Sequence, residues 1–529
     1  MAGLSQLKRE AMVCLRPVPD RLARLALPAL AGVSFCSIVA AAASINATPP
    51  MEGVGLHDWP QWGGTVQRNM VSAEQGLPET FDAGLDGHAR KNIKWTAPLG
   101  TQTYGTPIVA NGRVYIATKG KADDKKYPNR APNERGEILC LDEKTGALIW
   151  RCNEARMTSY GITTAPVVEG NRVYLYGYRA DLLCLDADGL ANGNDGPFIN
   201  EADLYGKQQK APAAPVELDA ADADVIWSFS VKEKFSIFPH NAYAYAPLVY
   251  GNYVYASTGN SANERFAKPM TPEAPSLMVV DKRTGELVAV DNEKMGRTVI
   301  HGQWGTPCIG DVNGKPQLLY PGGDGLLYGF DLMPEKLPDG SGVLKKIWSF
   351  DPNLHSAPKT DHCAAFGAPV CYKNRAYSAL SDDWSLQIKQ GLLVCVDATK
   401  TGDITHSGLV WKNDSISTSV STVSISSGLV YLADLSGQVH CIDAETGKTV
   451  WSFDSGAQIW QSTLVADGKI YFGNCRGNFF ILKEGRTLSV IFQTKLHGEM
   501  SGACTAANGT LYVAAGRTLY AIASMKSEK

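Results

Sequence analysis

The 529-residue sequence contains no C-x-x-C and no C-x-x-C-H, so nothing in it announces covalent haem attachment. It has no G-x-S-x-G, no Walker loop and no H-E-x-x-H, which leaves the common hydrolase and nucleotide-binding readings without a motif. It has no excess of one charge. Lys and Arg number 50 against 53 Asp and Glu, a net charge of −3, and there is no basic field for nucleic acid. Residues 25–43 form an apolar run with no equal elsewhere in the chain. A chain that is 44% hydrophobic and 19% charged, with 52 glycines, is globular in composition and not disordered.

The apolar run follows Arg16, Arg21 and Arg24 and ends in small residues, with cleavage expected after Ala43 or Ala47. Residues 1–47 therefore read as a secretory signal with a long basic lead. The rival is an uncleaved membrane anchor, because the run approaches the ~20 residues needed to span a bilayer. Export to the periplasm or outside the cell is expected, with the membrane touched only through this segment.

A short sentence then recurs. LCLDEKTGALIW at residues 139–150 reads as a strand ending at Asp142, a tight turn at Gly146 and a second strand closing on Trp150. Gly146 supplies the positive φ of a bulged hairpin, and Asp142 can accept from backbone N–H groups of the turn. Versions return at residues 277–290, 394–403 and 440–451, with looser ones at Leu183 and Leu327. Recurrence of this kind means repeated architecture.

Each unit opens with a strand after a proline, as in TPIVANGRVYIAT, where Asn111-Gly112 signals a two-residue hairpin. Inner strands begin near Pro107, Pro166, Pro247, Pro307, Pro369, Val423, Leu464 and Ala506, which makes eight. Outer strands carry Trp95, Trp150, Trp227, Val288, Trp348, Trp411, Trp451 and Phe492, also eight, but offset by one. The strand at 93–99 can therefore complete the last sheet, so that the chain ends close the ring together. Trp411 to Trp451 spans 40 residues, which fits the ~40–45 of a four-stranded propeller blade.

The fold expected is all-β, an eight-bladed β-propeller of four-stranded antiparallel blades closed by an N-terminal strand on the last blade. A linear β-solenoid is the structural rival. Residues 48–90 form a lead whose tryptophans, Trp59 and Trp62, pack on the body. The propeller covers 91–524, and 525–529 is a tail. The longer units carry insertions at 119–136, 187–224 and 335–342, read as surface loops. Cys140, Cys184, Cys395 and Cys441 occupy equivalent places on different sheets and read as small buried residues; Cys363 and Cys371 are the least implausible disulfide pair.

The pattern A-x-D-x-x-T-G-x-x-x-W preceded by x-P-V-V-x-x-G-x-V-Y resembles the pyrroloquinoline-quinone (PQQ) repeat. Asp142, Gly146 and Trp150, the stretch 166–174, and Asp443, Gly447 and Trp451 carry it best. The opening DWPQWGG is similar to the lead of bacterial secreted propellers of this class, and the stretch from Leu185 to an insertion in some of them. The repeat is shared by quinoprotein alcohol dehydrogenases and by an outer-membrane assembly lipoprotein, so the resemblance implies the fold more firmly than an activity. For the dehydrogenases it implies PQQ, Ca²⁺ beside it, an aspartate base and a vicinal disulfide. This chain has no Cys-Cys pair, and no stretch matches the calcium and base positions.

The ring's mouth is expected from the segments before each inner strand. They include Tyr104, Tyr160, His240-Asn241, His301, Gln303, Trp304, Asp361-His362, Gln458, Trp460-Gln461 and Glu499. A concave surface with aromatic and polar groups suits a planar ligand, a sugar or a peptide. Trp304, Trp460, Gln303, His301 and His362 are the candidate cofactor-binding residues; each alone could equally cap its own strand. His240, His301 and His362 come from consecutive blades and could meet around a transition metal. Asp186, Asp188, Asn192, Asn194 and Asp195 form an oxygen-rich, glycine-punctuated loop of the kind Ca²⁺ prefers, though not at EF-hand spacing; a polar turn is the plain alternative. Asp382-Asp383-Trp384 reads as a solvated loop or a partner contact. The expected activity is that of a monomeric binding or scaffolding module for a protein, small-molecule or carbohydrate ligand. The alternative is a PQQ-dependent dehydrogenase acting on an alcohol or sugar.

Overall fold

A computed structural model describes residues 51–524 except 121–134, 156–161, 178–180, 207–215, 238–244, 263–267, 300, 353–362, 365 and 383–389. The leader, the tail, Tyr160, His240, Asn241, Asp361, His362, Asp383 and Trp384 lie outside the described residues. Among the described residues no helix is long and apolar enough to cross a membrane.

Eight sheets form an eight-bladed propeller. Blade 1 is Ile108–Ala110, Arg113–Lys119, Arg135–Asp142 and Leu148–Ala155, paired antiparallel in that order. Blade 2 starts at Val167–Glu169, blade 3 at Leu248–Tyr250 and blade 4 at Cys308–Val312. The main part of blade 5 starts at Val370–Tyr372, and blades 6, 7 and 8 start at Ser424–Ser426, Leu464–Ala466 and Thr505–Ala507. Asn111 and Gly112 both take left-handed φ, 55° and 73°, as a two-residue hairpin requires. Each blade is covered by a neighbour on both faces. Middle strands are therefore largely buried, and Asp181–Asp186 is buried at every position.

Blade 8 is completed by Ile93–Pro98, which runs antiparallel to Thr518–Ile522 with Trp95 opposite Ala521 and Thr96 opposite Tyr520. The first outer strand thus zips onto the last sheet.

Of the predicted insertions, 187–224 and 335–342 differ from plain surface loops; most of 119–136 lies outside the described residues. Blade 3 has six strands because Glu335–Lys336 and Gly342–Val343, donated from blade 4, extend its outer edge. Blade 4 has five because Gly402–Asp403 arrives from blade 5. The added strand next to each edge runs parallel to it, Val290 opposite Val343 and Trp348 opposite Gly402. The 187–224 insertion of blade 2 does the same to blade 1, with Asp222 bridging Arg151 in parallel. An outer strand is an unpaired edge, and each insertion shields that of the preceding blade.

Cys140, Cys184, Cys395 and Cys441 are free buried thiols directly opposite Trp150, Trp227, Trp411 and Trp451. A small side chain there leaves room for the indole. Cys371 is also free, its Sγ donating to Asp311 O at 3.4 Å, so the pairing with Cys363 does not form.

The lead does more than pack on the body: it bonds blade after blade along their inner edges. Trp59 and Val109 exchange both backbone hydrogen bonds, at 2.8 and 2.9 Å. Val168 N donates to Pro60 O and Ile309 N to Val66 O, each at 2.8 Å. The Asn69 carboxamide pairs with both backbone groups of Ile425. Val465 lies between Met70 O and Ser72 N, and Ser72 Oγ donates to Ala506 O. Arg68, fully buried, spans blades 3 and 4 by donating to Pro247 O at 2.6 Å and Pro307 O at 3.3 Å, and holds Trp62 O at 2.8 Å. The inner strands present unpaired backbone to the ring's centre, and residues 59–72 satisfy it in blades 1, 2, 3, 4, 6, 7 and 8.

Candidate functional site

In each blade the first–second and third–fourth turns lie at one end of the strands, the foot. The second–third turns and the links to the next blade lie at the other, the mouth. The candidate ligand residues belong to the mouth.

Between blades 4 and 5, Trp304 stacks on Phe366 with centroids 6.3 Å apart and planes at 26°, and His301 meets the indole edge-on at 5.4 Å. His301 and Trp304 are buried. Gln303 is bound into its own blade: Oε1 accepts from Gly323 N at 2.8 Å and Nε2 donates to Pro321 O at 3.2 Å. Gln461 accepts from Gly473 N of its own blade at 2.8 Å and donates across to Gly502 O, ahead of blade 8, at 3.0 Å. Trp460 is half-buried. Above blade 8, Gln102 Nε2 donates to Glu499 Oε1 at 2.7 Å and lies against Tyr104 Oη. Gln102 and Glu499 edge a cleft of about 410 Å³ with His497 and Arg517 on its other walls.

The repeat implies a quinone at the mouth. One face of Trp304 is taken by Phe366, and the Gln303 amide is spent on backbone. Among the described residues the single cluster of three carboxylate, histidine or cysteine ligands lies at the foot of blade 2, not at the mouth. Among the described mouth residues no three such ligands come together; His240, Asp361 and His362 lie outside them. Phe366 and Gln102 escaped the sequence reading because neither sits in a recurring motif.

The predicted calcium loop is at the foot. Asp188 is ion-paired with Arg113, and Asn192 Nδ2 donates to Asp195 Oδ2 at 3.3 Å. Asn194 Nδ2 donates to Glu201 Oε2 at 2.9 Å. Asp186 accepts from Asn171 at 2.9 Å and from Arg172 at 2.5 Å. The structure brings Asp186 and Asp195 together and adds Asp224, from the far end of the insertion.

Blade 6 holds a Ser–His–Asp series that sequence spacing did not reveal. Ser452 Oγ lies 2.9 Å from His440 Nδ1, and His440 Nε2 lies 2.9 Å from Asp434 Oδ2. Its chemistry is structural. Asp434 also accepts from Ser417 N, Ser436 N, Ser436 Oγ and Gln438 N, which makes it the knot of a turn. Burial alone would raise its pKa, but the bonds from His440, Ser436 and Ser417 outweigh that and hold it below the usual carboxylate value. Asn474 fills the same place in blade 7, accepting from Arg476 N and Asn478 N. A hydrolytic centre would need a reacting-atom site and oxyanion donors beside the serine, whereas Ser452 sits on the outer strand of its blade.

Residues 134–190 and 389–478 match the family described as outer membrane protein assembly factor BamB. Those stretches run from blade 1 into blade 2 and from blade 5 into blade 7. No curated protein matches in sequence. Among solved structures, a europium-containing methanol dehydrogenase aligns with a TM-score of 0.56 at 12% identity over 88% of this chain and 90% of that one. A quinohemoprotein alcohol dehydrogenase from Comamonas testosteroni aligns at 0.46, 13% identity, over 89% and 81%. BamB from Moraxella catarrhalis aligns at 0.36, 12% identity, over 86% and 96%. At such identities the likeness is one of fold, and the first alignment carries it.

Proposed function

We propose that this chain, which carries the PQQ repeat in a closed eight-bladed ring, is an exported binding or scaffolding module. Its working surface is the mouth, and its ligand is a protein segment, a carbohydrate or another small molecule. The observation that carries this is the occupancy of the ring's inner edges by the chain's own lead, with Arg68 bonded to three backbone carbonyls. What is left at the mouth is an open cleft edged by Gln102, His497, Glu499 and Arg517, polar and of mixed charge. Such a surface recognises; it does not enclose. The glutamines Gln303 and Gln461 support it from below through backbone bonds.

The test uses the full chain. Micromolar PQQ with Ca²⁺ is added, and dye reduction with alcohols and aldoses is followed beside binding to panels of oligosaccharides and peptides. No quinone-dependent turnover is expected, and a retained probe should be lost in the double variant Glu499→Gln, Arg517→Ala while thermal stability is unchanged. Quinone-dependent dye reduction would replace this reading with the dehydrogenase.

A further inference from the structure

Asp186 ends the third strand of blade 2 and Asp224 precedes its fourth, so the two stand at the root of the 187–224 insertion. Backbone closes that root, with Asp186 N donating to Asp224 O at 3.0 Å. Asp195 returns to it, its N donating to Asp224 Oδ2 at 2.9 Å. One carboxylate oxygen each of Asp186, Asp195 and Asp224 falls within 4.8 Å of the others. That spacing suits oxygens around one hard cation at 2.3–2.6 Å.

A gathering of acids alone would prove nothing. Here two fully buried carboxylates are also left short of partners. Asp224 and Glu201 are both 0% exposed, and Asp224 Oδ1 and Glu201 Oε1 accept no hydrogen bond. Their second oxygens are held, by Asp195 N and by Asn194 Nδ2, which fixes each carboxylate in place. Buried oxygens of this kind are rarely left bare. Of the described cations nearby, Arg113 is paired with Asp188 and Arg172 with Asp186 Oδ2 at the edge of the cluster; neither reaches Asp224 Oδ1 or Glu201 Oε1.

We infer that Asp186, Asp195 and Asp224, backed by Glu201, form a binding site for a hard divalent cation, Ca²⁺ by ligand type, that pins the blade 2 insertion. All the donors are oxygens, and none is a sulfur or imidazole that would favour a softer metal. The pinned segment covers the outer edge of blade 1: Arg151 N donates to Ala221 O and Ala223 N to Arg151 O, both at 2.9 Å. Tyr205, buried in the insertion's short helix, donates to Ala223 O at 2.9 Å. Cation binding at the root would hold this shield in place.

The test measures thermal unfolding and limited proteolysis of the full chain in EDTA, Ca²⁺ and Mg²⁺. Ca²⁺ is expected to raise the unfolding temperature by several degrees and slow cleavage within 187–224, because binding to the folded state alone stabilises it. Asp224→Asn and Asp195→Asn should each weaken calorimetric Ca²⁺ affinity at least tenfold, while Asp188→Asn, at the Arg113 pair, should not. Identical melting and cleavage in EDTA and Ca²⁺, with Asp224→Asn stabilising the protein in both, would overturn the site and leave a proton shared among the acids. A response to Mg²⁺ equal to that of Ca²⁺ would overturn the assignment of the ion.

Discussion

The indole of Trp95 lies against Gly146, so close that a Cβ on that glycine would stand 2.6 Å from Trp95 Cε3. Its Nε1 donates to Glu143 O at 2.9 Å in the same turn. Trp95 belongs to blade 8 and Gly146 to blade 1, so this contact joins the closing blade to the first. The arrangement recurs with Trp150 on Gly189, Trp227 on Gly285 and Trp411 on Gly447, each indole donating to a carbonyl of the next blade's turn. The tryptophan and the Asp-x-x-Thr-Gly turn are two halves of one interblade joint.

Gly146→Ala should therefore cost more than Gly112→Ala. Both glycines have φ 73°, but nothing lies within 4 Å of a Cβ on Gly112. The shared backbone penalty is roughly 1–2 kcal/mol; crowding the indole adds about 1–3 kcal/mol at Gly146 alone. Denaturant midpoints of the two variants check this, and equal midpoints would refute the joint.

How much of this was legible in the sequence follows from what repeats. The Asp142 turn forms as expected, its carboxylate accepting from Lys144 N, Thr145 N and Thr145 Oγ1, because all its partners lie within three residues. The offset between inner and outer strands foretold the pairing of Trp95 with Ala521. The insertions resisted, since the partner of Val343 is Val290 and that of Asp222 is Arg151, in another blade, and no periodicity records such a pairing. Arg68 is similar. A lone arginine in a polar stretch gives no sign that it reaches Pro247 and Pro307, each well over a hundred residues away. At the mouth the sequence named Gln303 as a ligand candidate; the structure turns its amide to Gly323 and Pro321.

Arg68→Met should destabilise the protein by roughly 3 kcal/mol or more, since it strands three carbonyls and each unmade buried hydrogen bond costs about 1–3 kcal/mol. Burial lowers the guanidinium to about 9, which leaves it protonated at neutral pH. Without it, the carbonyls of Trp62, Pro247 and Pro307 lose their donor. Lysine cannot restore the fork, so Arg68→Lys should recover less than half of the loss. Unfolding midpoints of the two variants decide it; full recovery by lysine would show that charge alone matters.

Asp434 gives a pH dependence. Its folded pKa lies below the ordinary 3.8, so its contribution is present above about pH 4 and is lost as pH falls through the folded value. Asp434→Asn should flatten the acid limb of the stability curve there. His440→Ala should weaken the same limb, because His440 is one of the donors holding Asp434 down. Ser452→Ala should leave the acid limb in place and abolish no esterase activity, since the serine is a strut. Loss of an esterase signal on Ser452→Ala would contradict the structural reading.

Two glutamate or glutamine side chains on the mouth should respond in opposite ways. Gln303 makes two buried bonds to backbone within blade 4, and Gln303→Ala strands Gly323 N and Pro321 O. An unmade buried hydrogen bond costs about 1–3 kcal/mol, so this variant should lose stability by roughly that amount. Glu499 is half-buried at the edge of the cleft and bonds the side chain of Gln102. Glu499→Gln keeps an acceptor for Gln102 and removes only a charge, so stability should stay within about 0.5 kcal/mol, as for ordinary surface changes. Ligand retention should shift the other way, falling for Glu499→Gln and holding for Gln303→Ala at temperatures where it remains folded. Melting curves beside binding of one retained probe separate the two roles. If Gln303→Ala abolishes binding without loss of stability, the amide is a ligand group and the mouth reaches deeper into blade 4 than the cleft above blade 8.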